Sequence, residues 1–132
     1  MRRLYILFAA LAVVLTLVAC GGAERLSVND VVSRFDTETY YVNSYDETQI
    51  TEINGKLALE GELLQVVHVI KNDTAPPTLV WTYIYEFSLE KDAVAFAENR
   101  AVFVKSIDNG RCVRLGNIVV YGNSEVVAEL EK

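Results

Sequence analysis

Residues 63–70, LLQVVHVI, set the strictest condition on how this chain folds, because every side chain except Gln65 and His68 is apolar and both faces of the segment need cover. A short continuous apolar run of this kind is the pattern of an inner strand packed on two sides. Its downstream boundary is sharp. Residues 71–78, KNDTAPPT, hold both prolines of the chain, which cannot donate to a ladder and push the residues before them out of the helical region, so the segment is a loop. Beyond it TLVWTYIYEF alternates, with Leu79, Trp81, Tyr83, Tyr85 and Phe87 on one face and Val80, Thr82, Ile84 and Glu86 on the other. The aromatic face calls for a helix, and one follows at once: Ser88 is the expected N-cap, Leu89, Ala93, Phe96 and Ala97 form the apolar stripe, and Glu90, Lys91, Asp92 and Glu98 lie off it.

Upstream, Ser27 with Asp30 three residues later makes an acidic variant of the capping box, and Val28, Val31, Val32 and Phe35 continue at helical spacing. This predicts a helix over about 28–36. In TYYVNSYDETQITEINGKLALEG, Asn54-Gly55 falls between two alternating runs, which predicts a hairpin with strands near 49–53 and 56–60 and a further strand near 39–45. After the long helix, 101–107 (AVFVKSI) turns through Asp108-Asn109-Gly110 into RCVRL, and Gly116-Asn117 breaks that strand before IVVYG. Ser124 then caps a closing short helix with Val126, Val127 and Leu130 inward. The expected fold is α+β: a single small domain, mainly an antiparallel sheet, with about three helices packed on one face.

Ahead of this domain, Met1-Arg2-Arg3 is followed by a charge-free stretch from Leu4 to Ala19 and then by Cys20-Gly21-Gly22. Cys20 has three readings: the end of a membrane helix, half of a disulfide with Cys112, or a point of lipid attachment. As a helix, residues 4–19 span about 24 Å, short of the roughly 30 Å hydrocarbon core, and the glycine pair is a poor continuation. A basic start followed by an apolar run is the build of an export signal.

The four residues Leu17-Val18-Ala19-Cys20 resemble the lipobox of bacterial membrane lipoproteins. That resemblance implies that residues 1–19 are a cleaved signal peptide, that Cys20 carries diacylglyceryl and opens the mature chain, that 20–25 is a lipidated tether, and that 26–132 is the domain. It also implies a protein anchored in the cell membrane on its extracytoplasmic side, held firmly because two acyl chains are attached where one gives only marginal binding. Residues 21–25 reach at most about 18 Å. With Cys20 alkylated, Cys112 has no intrachain partner and is either a buried thiol or a partner for another molecule. The 113 residues from Cys20 to Lys132 suffice for a core without covalent staples. YIYEFSLEKDAVAFAENRAVFV with NIVVYGNSEVVAELE is similar to small bacterial lipoproteins built as strand, helix, strand pair and helix. This similarity implies a fold and a compartment but no activity.

The formal net charge is −6, and without Arg2 and Arg3 the remaining 10 basic and 18 acidic residues leave −8. Such a domain has no electrostatic footprint for nucleic acid or anionic headgroups, so membrane contact is expected through Cys20. His68 is the only histidine, and within an apolar strand it reads as a hydrogen-bonded core residue rather than a base. With Cys112 it offers no paired spacing for zinc. Asp46-Glu47 and Glu60-Gly61-Glu62 match no calcium loop and read as solvated surface. The glycines punctuate turns, and Asn72-Asp73-Thr74 matches a glycosylation acceptor by chance. Tyr40, Tyr41 and Tyr45 read as half-buried strand residues before they read as a binding surface.

The sequence therefore yields no catalytic, cofactor or metal residue, and Cys20, as lipid attachment, is its one functional position. The expected role is a lipid-anchored, non-enzymatic envelope lipoprotein whose domain binds an envelope protein or ligand. One alternative is a small envelope enzyme using surface carboxylates, which requires two of them converging with His68 or a tyrosine in a pocket. Another is a structural or immunity-type lipoprotein.

Overall fold

The computed structural model describes residues 26–76, 78–107 and 109–131; the signal, the lipobox and Cys20 lie outside them. The elements run α1 (Val28–Val32), β1 (Tyr40–Ser44), α2 (Glu47–Lys56), β2 (Leu63–Lys71), β3 (Trp81–Phe87), α3 (Glu90–Val104), β4 (Gly110–Leu115), β5 (Ile118–Asn123) and α4 (Ser124–Ala128), closed by a 3-10 turn over Glu129–Glu131. The fold is α+β, a single small domain. Its five strands form one sheet in the order β1-β2-β3-β5-β4, and every neighbouring pair is antiparallel.

The alternation expected along β3 sorts the whole core. Ile84 joins Val67 and Val69 of β2 and Ile118 and Val120 of β5 beneath Val28 and Val31 of α1 and Val126, Val127 and Leu130 at the C-terminal end. Tyr85 and Phe87 face the other way with Val66, Val119 and Tyr121, and they meet Ala93, Phe96 and Val104 of α3 and Ile50 and Ile53 of α2. Helices thus cover both faces, not one. The apolar run of β2 already demanded this, since a strand with Val66 and Val67 both buried needs apolar cover above and below.

The predicted hairpin at Asn54-Gly55 is absent. That segment is α2, the additional helix beyond the expected three, nucleated by a capping box in which Asp46 accepts from the Gln49 amide and Gln49 from the Asp46 amide. Ile50 and Ile53, three residues apart, make its inward face. Asn54 spends its side chain as a clamp instead of a turn: Nδ2 donates to the Leu63 carbonyl at 2.9 Å and Oδ1 accepts from the Leu63 amide at 2.7 Å.

Smaller departures have equally local causes. The predicted cap of α1 is present, with Ser27 and Asp30 satisfying each other's amides. Ser88 does not cap α3; its Oγ accepts from the Glu62 amide at 2.8 Å, and Leu89 occupies the N-cap position without a side-chain bond. Residues 101–104 continue α3 rather than leaving it, so two strands follow that helix. Asn123, not Ser124, caps α4 by accepting from the Glu125 amide. Asp92, expected at the surface, is buried, and its two carboxylate oxygens accept from the amides of Glu60 and Gly61 at 3.0 and 2.8 Å.

Candidate functional site

Cross-strand pairing lines up one residue from every strand on the face shared by α2 and α3. Asn43 stands opposite His68, His68 opposite Tyr83, Tyr83 opposite Tyr121, and Tyr121 opposite Cys112. His68 and Tyr83 stack with centroids 4.2 Å apart and planes 7° apart, and Tyr83 and Tyr121 follow at 5.8 Å and 29°. Trp81 meets His68, Tyr83 and Tyr121 edge-on. Rings packed this way attract beyond their buried area.

This environment shifts every titratable group in the row toward its neutral form. Burial lowers the imidazole of His68. Burial, reinforced by the Tyr45 hydroxyl, pushes the Tyr83 phenol up to about 12. Burial likewise raises Tyr121, next to Tyr85, and Tyr85 itself. Cys112 is half-buried, its thiol raised by burial and 3.7 Å from the Ala97 carbonyl. A thiol so placed is a poor nucleophile. His68 is half-buried, flat against Tyr83 and edge-on to Trp81. The three tyrosines at β1 separate: Tyr40 is buried against Phe35, Tyr41 is 59% exposed, and Tyr45 is half-buried against Tyr83.

At the Tyr121 end of the row stands Arg100, a residue the sequence did not single out. Its guanidinium carbon lies 4.9 Å from the Phe96 ring centroid, 5.3 Å from Tyr121 and 5.5 Å from Phe103. Its Nε is buried with no hydrogen-bond partner. The described ion pairs join Lys56 to Glu52, Lys71 to Glu125, Lys91 to Glu60 and Arg114 to Glu90; none uses Arg100. Arg100 also lines a cleft of about 320 Å³ between α3 and the Leu57–Leu59 segment that follows α2.

A second cleft, of about 420 Å³ between α2 and the start of β2, is lined by Tyr45, Glu47 and Glu62 among others. Both carboxylates are exposed. Among the described residues no group of three His, Cys, Asp or Glu is placed to hold a metal ion, and no helix is long and apolar enough to cross a membrane. No protein-family model, curated protein or solved structure matches the chain.

Proposed function

We propose that this chain is a non-enzymatic lipoprotein of the bacterial envelope, held on the extracytoplasmic side of the cell membrane by lipid on Cys20, with the domain from residue 26 onward working as a binding module. The observation that carries the anchor is the run from Met1 to Cys20: two arginines, a charge-free stretch and Leu17-Val18-Ala19-Cys20. Residues 21–25 separate Cys20 from a fixed point on the domain, since Leu26 packs on the core and the Val28 amide donates to Glu86 Oε1 at 3.1 Å. A tether of at most about 18 Å keeps the domain beside the bilayer. That entry point belongs to the α1 and α4 face of the sheet, whereas the ring row and Arg100 belong to the opposite face. A ligand of the ring row approaches from the layer opposite the tether.

Binding is supported by residue type as well as by place. Trp, Tyr and Arg are the side chains that dominate binding surfaces, and on this face Trp81, Tyr83 and Arg100 are half-buried, while Tyr85 and Tyr121 back them from the core. The competing enzymatic reading has one footing, the cleft lined by Tyr45, Glu47 and Glu62. Metabolic labelling with an alkyne fatty acid tests the anchor: label on the protein that disappears in Cys20→Ser is expected, and label that survives the substitution contradicts it. Mild crosslinking in the native envelope tests the module, and a protein that captures neither a partner nor a ligand counts against it.

A further inference from the structure

We infer that the cleft between α3 and Leu57–Leu59 binds a small monoanion, a carboxylate carried on an apolar body, with Arg100 as its counter-ion. Three observations converge on this. The chain has 18 acidic against 12 basic residues, so carboxylates outnumber the cations they can pair with, yet no carboxylate among the described residues pairs with Arg100. Buried polar groups are almost always satisfied, yet the Nε of Arg100, sealed from solvent, has no partner among the described residues, so rings alone hold the guanidinium and its charge is left for the terminal nitrogens to present to the cleft that Arg100 lines. The three rings around the guanidinium offset part of its desolvation, but they accept no in-plane hydrogen bond, and a carboxylate does so with two.

The walls choose the rest of the ligand. Leu57, Ala58 and Leu59 form one side of the cleft, and Ala95 and Phe96 stand beside Arg100 on the other. A sugar acid placed there would find Asn99 as the one further polar side chain not already engaged and would leave most of its hydroxyls unpaired, whereas an aryl or alkyl body loses nothing polar. One cation matches one negative charge, and a dianionic phosphate would leave a charge uncompensated in a chain of formal net charge −6. Asp92, which also lines the cleft, makes no described ion pair with Arg100; its oxygens accept from the Glu60 and Gly61 amides, and its carboxylate adds to the penalty on a second negative charge in the ligand. The volume of about 320 Å³ falls at the small end of ligand pockets.

This inference rests on the binding-module reading and not on the lipid. The probe is 3-phenylpropionate, titrated calorimetrically into the full chain in phosphatidylcholine nanodiscs, with 3-phenylpropanamide and glucuronate as comparisons. Saturable binding of the acid is expected, with the amide and glucuronate weaker by roughly tenfold or more, and the same loss in Arg100→Gln. Arg100→Gln removes an unpaired cation and is expected to fold; Ala95→Leu, which fills the cleft from an exposed helix position, keeps Arg100 and must also abolish binding. The absence of saturable heat, equal binding of amide or glucuronate, or an undiminished affinity in either variant overturns the inference. Failure here with successful crosslinking removes the ligand class alone and leaves the binding module standing.

Discussion

His68 lies flat against Tyr83, ring centroids 4.2 Å apart, and these two residues are direct cross-strand partners of β2 and β3. Burial in that stack lowers the imidazole below its ordinary value of 6.5. The unfolded chain therefore binds a proton at His68 before the folded chain does, and stability rises with pH through that interval. The urea midpoint is expected to fall as pH drops from about 7 to about 5, and His68→Phe, which keeps a ring but cannot titrate, is expected to flatten that slope. Further acid loss begins lower, where Asp30, Asp36 and Glu52 titrate, held down by hydrogen bonds from Ser27, Thr39 and Lys56 respectively. An unchanged slope in His68→Phe contradicts the assignment.

Gly55 discriminates between the helix and the hairpin that its sequence predicts. It lies within α2, and a Cβ there meets nothing within 4 Å. Gly55→Ala is expected to stabilise the domain by about 0.5–1 kcal/mol, because alanine loses less backbone freedom in a helix. In an Asn-Gly turn the same change is destabilising, so a fall in the urea midpoint contradicts α2.

Asp92 ties the connection between α2 and β2 to the first turn of α3 through two amides. Asp92→Ala is expected to cost about 2–4 kcal/mol, since it leaves buried donors unsatisfied. Asp92→Asn keeps one acceptor and is expected to cost about half as much. Equilibrium denaturation measures both, and equal losses contradict the bidentate role.

Gly122 is needed by its backbone and by its neighbours. Its φ is +149°, and a Cβ would come within 2.5 Å of the Trp81 carbonyl oxygen and 2.6 Å of Thr82 Cα. Gly122→Ala is expected to destabilise by more than about 2 kcal/mol and, because Trp81 is the only tryptophan, to alter the native fluorescence. A variant with wild-type stability contradicts the pairing of β3 and β5.

Much of the fold was legible where one period dominated. The alternation from Trp81 to Phe87 is the alternation of the two cores, and the capping pair Ser27 and Asp30 starts α1 as read. The region from Tyr45 to Lys56 misled because Asn54-Gly55 is a strong turn signal and the flanking Thr, Gln and Ile residues mimic alternation. The competing signal was present in Asp46 with Gln49 and in Ile50 with Ile53, and it prevailed once Asn54 found the Leu63 backbone. Of the candidate site, His68 and Cys112 drew notice as isolated residues, but their common row depends on strand order and register. Arg100 had a local signal in Phe96 four residues before it and Phe103 three after it on the same helix, but Tyr121 reaches it from β5 and that contact depends on how α3 packs on the sheet.

The anchor on Cys20 is the central functional claim, and intact-mass spectrometry of the protein extracted from its native membrane tests it most directly. A species beginning at Cys20 is expected, carrying the mass of a diacylglyceryl group that base hydrolysis reduces by the acyl chains. A species that still begins at Met1, or one that begins at Cys20 with a free thiol, contradicts it.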